Sequence, residues 1–174
     1  MVKNQFIDNA SNTPPTEAMQ TMHTFEQQLG NLLWVEKALI RTIPKMMEHA
    51  STEKLSDILR IHHRHSKDHV VELERVFKSF RKNPETIKCQ EMTDLMDEAD
   101  KNFSEFGKST PGDKLIVSMA IKFQEYQQGT YQTQIDLSRK MGLEVVCSIL
   151  SGVLEQEVEI LRELRTLETA DLHG

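Results

Sequence analysis

The sequence lacks the features that mark secreted, membrane-spanning and phosphate-binding proteins. No apolar run approaches the roughly 18 to 20 residues that a membrane-spanning helix needs, and the first residues carry no apolar stretch typical of a secretory signal. The two cysteines, Cys89 and Cys147, lie far apart and form no metal or redox motif. Glycine-rich phosphate loops, strand-like alternation and internal repeats are also missing. We therefore expect a cytoplasmic protein with reduced thiols.

The sequence also lacks a strong excess of charge of either sign. The 174 residues include 21 Lys and Arg against 27 Asp and Glu, and the net charge of −6 is spread along the chain. This pattern gives no electrostatic reason to bind nucleic acid or an anionic membrane, so neither is expected as a partner. No serine or cysteine stands in a strained turn beside a histidine and an acid, which excludes nucleophilic catalysis.

What the sequence does contain is helical periodicity. Residues 1–18 are polar, carry Pro14 and Pro15 and show no period, so we expect a flexible arm, followed by one domain over 19–170 and a short tail at 171–174. Apolar residues at helical spacing predict four long helices, which are expected at about 20–49, 52–82, 110–141 and from Gly142 to about Leu167.

The ends of these helices predict how they connect. Ser51 is expected to cap the second helix, Pro84 to stop it, and Gly142 to close the third. The first and last joints are short, so each predicts an antiparallel pair. Residues 83–110 form a long connection whose middle is itself amphipathic and predicts a short extra helix. Two antiparallel pairs joined by one crossover define an all-α, ferritin-like four-helix bundle.

Each long helix has an apolar seam that a polar residue interrupts near its middle. The seam of the first helix breaks at Glu36, the second between His62 and His69, the third at Gln127 and the fourth at Glu157. Helices of similar length packed side by side bring these breaks to one height. Buried carboxylates need a cation, a proton or hydrogen-bond donors, and facing carboxylates and imidazoles are ligands for iron, manganese or zinc. The predicted metal ligands are Glu36, His62, His69 and Glu157.

A second interpretation needs no metal. The same four side chains can form a buried hydrogen-bonded ion network that fixes how the helices pack. Gln124, Gln127 and Gln134 are then candidates for an amide network in the same core. His63 and His65 lie off the seam and are expected to face solvent or a partner.

The order and spacing of several motifs resemble those of the YciE/YciF family of small ferritin-like bacterial stress proteins. The residues that carry the resemblance are Trp34-Val35-Glu36-Lys37-Ala38-Leu39, Ile43-Pro44-Lys45-Met46, His62, Leu73-Glu74-Arg75-Val76-Phe77, Lys88-Cys89 and Met92. The resemblance covers about residues 22–168. It implies a ferritin-like bundle, a homodimer, a link to stress responses and a metal site.

The chain departs from the family pattern at the site itself. The family's third helix typically reads Lys-Val-Glu-His-Tyr-Glu, and here residues 122–127 replace both glutamates with Gln124 and Gln127. Arg64 and His65 stand where the family usually has two acids. Glu36, His62 and Glu157 are the ligands that match the family, and His69 is a replacement ligand proposed from its place on the seam.

Two functions follow from these residues. One is a stress-associated, ferritin-like protein with a degenerate carboxylate and histidine site for iron, manganese or zinc. The other is a non-catalytic helical assembly or interaction protein whose polar layer holds no metal and whose protein partner the sequence does not identify. The sequence leaves open whether the chain is an enzyme.

Overall fold

The computed structural model describes residues 16–170, and over that range the chain forms five α-helices and no strand. These helices are α1 (Glu17–His49), α2 (Glu53–Ser79), α3 (Gln90–Phe106), α4 (Thr110–Lys140) and α5 (Glu144–Thr169). The all-α prediction is confirmed, and α3 is the extra helix expected within the crossover. Residues 1–15 of the predicted arm, and the tail at 171–174, lie outside the described residues.

The four long helices pack as two hairpins, α1 with α2 and α4 with α5, and each hairpin also packs against the other through α1 with α4 and α2 with α5. Cross-helix bonds fix the direction of α4. Lys140 near its end bonds Glu17 at the start of α1, with 3.0 Å between Nζ and Oε1. Asp113 near its start bonds the backbone at Ser51, just after α1 ends. Helices α1 and α4 are therefore antiparallel, which makes α2 and α4 parallel, as a ferritin-like crossover requires.

The crossover runs the length of the bundle and needs a glycine to do so. The amide of Ile87 donates to the carbonyl oxygen of Gly30 at 3.0 Å. A Cβ added at Gly30 would lie 2.9 Å from the Ile87 side chain and 3.2 Å from the carbonyl oxygen of Glu85. Only a residue without a side chain lets the two segments approach this closely.

The start of α2 differs from the prediction. Thr52, not Ser51, is its N-cap, and its side chain makes no capping bond. The carboxylate of Asp113 on α4 instead holds the two residues before the helix: its Oδ1 accepts from the Ser51 amide at 2.7 Å and its Oδ2 from the Thr52 amide at 3.1 Å. The acid side chain comes from a distant part of the sequence, so no local pattern indicated it.

The other helix boundaries differ from the predicted positions by one helical turn or less. Thr16 caps α1 by accepting from the amide of Met19 at 3.2 Å, so the helix begins three residues before the predicted position. Helix α2 ends at Ser79, before the predicted end at 82, because Arg81 adopts a left-handed φ of 58°. Gly142 closes α4 with a φ of 72°, as predicted.

The core consists of two apolar clusters separated by a polar layer. One cluster includes Phe25, Leu73, Ile135 and Leu150, and the other lies toward the opposite end of the bundle. In each long helix the change from one cluster to the other falls at the polar break in the seam. The layer contains the buried residues Glu36, His62, Ser66, His69, Gln124, Gln127 and Glu157.

Steps of three and four residues along α4 predict that Thr130, Leu137 and Met141 follow Gln127 on the seam, and the structure differs there. Thr130, Leu137 and Met141 are half-buried, whereas Tyr131 is fully buried. After Gln127 the buried stripe advances by four residues to Tyr131, not by three to Thr130. Within residues 16–170, no helix is long and apolar enough to cross a membrane.

Candidate metal centre

Three of the four predicted ligands meet in the polar layer. Glu36 from α1, His69 from α2 and Glu157 from α5 each offer one ligand atom, and these atoms lie within 4.8 Å of one another. The Nδ1 atom of His69 is 3.2 Å from Glu36 Oε1 and 3.0 Å from Glu157 Oε1. All three side chains are at most 1% exposed. We call these residues the ligand trio.

Glu36 is held by α4. Its Oε1 accepts from Tyr131 Oη at 2.7 Å and from Gln127 Nε2 at 3.0 Å, in addition to the bond with His69. Burial and the negative charges of Glu36 and Glu157 raise the pKa of Tyr131 well above its ordinary value, so its phenol stays protonated and donates. The other oxygen, Oε2, has no hydrogen-bond partner. Helix α4 thus fixes the carboxylate through one oxygen and leaves the second free.

His69 is set between acceptors on both sides of its ring. Its Nδ1 faces the two carboxylates, and its Nε2 lies 2.8 Å from Oε1 of Gln156. Burial alone would lower the pKa of His69, but the contacts with Glu157 and Glu36 outweigh it and raise the pKa to about 10. Without a metal, the ring is therefore an imidazolium that donates at both nitrogens.

The layer still contains more acceptors than donors. Two carboxylates and one imidazolium leave one negative charge in the core. Glu36 Oε2, Glu157 Oε2 and the amide oxygens of Gln124 and Gln127 accept no hydrogen bond, and Glu157 Oε1 has only the His69 ring, which it shares with Glu36. Buried acceptors without donors are costly, and this surplus is what a cation would relieve. Two carboxylates with one imidazole suit iron, manganese or zinc, so the residues present fit such an ion.

His62, the fourth predicted ligand, lies beside the ligand trio and bonds elsewhere. Its Nε2 is 2.9 Å from Nε2 of Gln124. Because the amide nitrogen can only donate, the imidazole nitrogen accepts. Burial lowers the pKa of His62 to about 4, although the charge of Glu157 opposes the shift. The two inward histidines of α2 therefore carry different charges near neutral pH.

His63 has a structural partner that the sequence analysis did not anticipate. Pro44 has no amide, so the carbonyl oxygen of Ile40 one turn earlier loses its helical donor. His63 Nε2 lies 3.0 Å from that oxygen and replaces the missing donor. His63 is half-buried against α1, contrary to the expectation of a side chain facing solvent or a partner. His65 is also half-buried.

Two residues of the site, Tyr131 and Gln156, are not among those predicted from the sequence. Tyr131 follows Gln127 by four residues, and periodicity does not separate this spacing from the three-residue step to Thr130. Gln156 lies on the flank of α5 beside Glu157.

The three glutamines considered above do not form one amide network. Gln124 bonds His62 and Gln127 bonds Glu36, whereas Gln134 bonds another amide, that of Gln28.

The fold and the site define a class: a ferritin-like helical bundle with a carboxylate and imidazole group across its core. Within that class, the chain belongs to the family described as a domain of unknown function, DUF892, whose sequence pattern matches residues 20–172. The predicted family resemblance is confirmed.

Relatives support the same assignment. The chain is 25% identical over 134 residues to Protein YciF of Escherichia coli strain K12, covering 76% of this chain and 81% of YciF. It superposes on YcfI from Rhodopseudomonas palustris with a TM-score of 0.83 at 24% identity, over 92% of this chain and all of the other. The crystal structure of the E. coli stress protein YciF gives a TM-score of 0.81 at 24% identity, over 85% and 94% of the two chains.

Proposed function

We propose that this protein is a stress-associated member of the DUF892 family that binds one iron, manganese or zinc ion at the ligand trio, Glu36, His69 and Glu157. The observation that carries the proposal is the surplus of buried acceptors: Glu36 Oε2 and Glu157 Oε2 accept no hydrogen bond, and the Oε1 atoms of the two carboxylates share the single Nδ1 of His69. The Nε2 atom of His62 is already bonded to Gln124 and is not counted among the ligand atoms.

Each neighbouring residue has a role in holding the site. Gln127 and Tyr131 orient Glu36 through Oε1 and leave Oε2 for the ion. Gln156 accepts from His69 Nε2, which keeps a proton on that nitrogen and leaves Nδ1 as the ligand atom. Binding of the ion releases the Nδ1 proton, so affinity increases with pH. A bound iron or manganese ion would supply peroxide or oxygen reduction, whereas zinc would supply charge alone.

Two further parts of the proposal come from relatives. E. coli YciF is described as a stress protein, and the family resemblance implies a homodimer. Both are extended to this chain as proposals. Sedimentation equilibrium of the full chain tests the dimer, and a single species at 20.1 kDa would contradict it.

Elemental analysis tests whether the protein binds a metal ion. Protein purified without a histidine tag should contain close to one metal per chain, and Glu36→Ala should remove it. Met19→Ala, an exposed change on the same helix, is the matched control and should keep the full content. A wild-type content below about 0.2 per chain that Glu36→Ala leaves unchanged would overturn the proposal.

The metal-free network is the second candidate, and one observation favours it. The imidazolium of His69 already lies between the two carboxylates, where it serves as an internal cation. Gln127 also stands where the family has a carboxylate. On this alternative the protein acts through its surface, as a structural or interaction protein.

Thermal melting with and without chelator distinguishes the metal site from the metal-free network. An ion that binds only the folded chain at about 100 times its Kd adds about 3 kcal/mol of stability. The metal proposal therefore predicts a melting temperature several degrees lower in chelator. Identical melting curves with and without added metal would support the network.

A further inference from the structure

We propose that the cleft between α2 and α5 is the route by which the cation reaches the ligand trio, with Gln156 as its gate. This inference rests on the proposed function, since it concerns loading of that same site.

The cleft connects the surface to the site. It has a volume of about 520 Å³ and its lining includes the exposed residues Asp68, Val71, Ser148 and Gly152. Its lining also includes His69, which is 1% exposed and belongs to the ligand trio. A second cleft of about 430 Å³ between the same helices reaches His65 and has no member of the trio in its lining. The first cleft is therefore the one that leads to the site.

Small residues of α5 keep the cleft open. Ser148 and Gly152 are one helical turn apart and therefore face the same side of α5. A Cβ built at Gly152 meets no atom within 4 Å. A larger side chain at Gly152 would therefore project into open space and narrow the cleft without disturbing the core, and Ser148 is exposed on the same face.

The mouth carries charge of the sign that attracts cations. Asp68 makes no ion pair with any residue in the described range 16–170, whereas Glu72 is neutralised by Arg75, with 2.9 Å between Oε2 and Nη1. An unpaired carboxylate at the mouth of a cleft raises the local concentration of cations, and salt screens the effect.

Gln156 closes the inner end. Its side chain is half-buried, lines the cleft and accepts from His69 Nε2 at 2.8 Å. The ring of His69 and this amide stand between the cleft and the carboxylates that Nδ1 contacts. Rotation of the half-buried Gln156 side chain breaks its one hydrogen bond with His69, whereas His69 itself is fully buried, so Gln156 is the movable part of the barrier.

Stopped-flow uptake of Zn²⁺ by the metal-free full chain, followed with a chromogenic zinc indicator, tests the route. Gly152→Leu should slow uptake at least tenfold while the zinc content at saturation stays that of the wild type. Gly129→Leu is the matched control: Gly129 is also an exposed helical glycine whose added Cβ meets nothing within 4 Å, and it lies outside the cleft. It should load at the wild-type rate.

Further variants keep the test decisive. Ser148→Leu narrows the same cleft and replaces Gly152→Leu if that variant misfolds. Asp68→Asn should slow uptake two- to threefold at low salt and have no effect at high salt. Gln156→Ala should accelerate release of bound zinc to excess chelator severalfold.

The outcomes separate the route from the site. Full zinc content with a wild-type uptake rate in Gly152→Leu and Ser148→Leu would overturn the entry route and leave the metal site standing. Failure of the wild type itself to take up zinc, iron or manganese would overturn both. Slow uptake in Gly129→Leu as well would assign the effect to replacement of any exposed helical glycine and overturn the route.

Discussion

The apolar clusters and the polar layer between them are built on opposite principles. In the clusters, side chains such as Phe25 and Leu150 are fully buried, and this burial stabilises the fold without any partner beyond packing. The layer is equally buried but contains four acceptor oxygens of Glu36, Glu157 and the glutamines that no donor reaches. The apolar clusters therefore need no bound group, whereas the polar layer keeps acceptor oxygens that the folded chain does not satisfy.

This difference separates stability from function. A bundle of this size would be more stable if the layer were apolar, because replacing buried ionic groups by hydrophobic residues often raises stability. A layer of this composition therefore weakens the fold unless something else binds there. The comparison predicts that substitutions in the apolar clusters destabilise the metal-free chain more than substitutions of the carboxylates in the layer.

The largest expected effect is in the apolar cluster. Phe25→Ala removes a fully buried ring that packs edge-on against Phe80, with ring centroids 5.5 Å apart, and should lower the free energy of unfolding by about 4 kcal/mol. Met19→Ala on the same helix, at 61% exposed, should change it by less than about 0.5 kcal/mol. Urea unfolding of both variants measures this, and similar losses would show that burial does not distinguish the two positions.

A smaller effect is expected from pH, and it belongs to the layer. The pKa of His69 is raised to about 10 in the folded chain, so its contribution to stability is complete below the unfolded pKa of 6.5 and is lost as pH rises through 10. Metal-free protein should lose roughly 3 kcal/mol between pH 6.5 and 9. The pKa of His62 is lowered to about 4, so stability also falls as pH drops from 6.5 toward 4.

Stability of the metal-free protein should therefore peak near pH 6.5, the unfolded value for both rings. Unfolding at a series of pH values in chelator measures the curve, and NMR titration of the ring protons assigns each limb. A His69 signal that titrates near its ordinary pKa would refute the charged-ring description of the layer.

The smallest effect compares the two carboxylates of the layer. Glu157→Gln removes a buried carboxylate whose one side-chain contact is His69 Nδ1 at 3.0 Å, and in chelator it should lower stability by less than about 1 kcal/mol. Glu36→Gln should instead lower it by about 1–2 kcal/mol, because it disturbs the bonds from Tyr131 and Gln127. Both should abolish metal binding. Equal stability losses in the two variants would contradict the asymmetry.

Much of the site could be predicted because the signal is local. A carboxylate or imidazole at a seam position, as at Glu36, His69 and Glu157, points to the core whatever the neighbouring helix contributes. Gln156 and Tyr131 could not be placed this way. A one-residue difference in phase along α4 decides whether Thr130 or Tyr131 turns inward, and periodicity does not resolve a difference that small.

The sequence by itself determined the five helices, their order, the crossover and the four polar breaks, because helical period and breakers act over a few residues. The tertiary structure alone decided which polar groups meet. His69 lies between two carboxylates, and His62 bonds Gln124. His63 bonds the carbonyl oxygen of Ile40, and Asp113 bonds the backbone just before α2. These pairings depend on the rotation and height of helices that are distant in sequence, and they fix the charge on each ring.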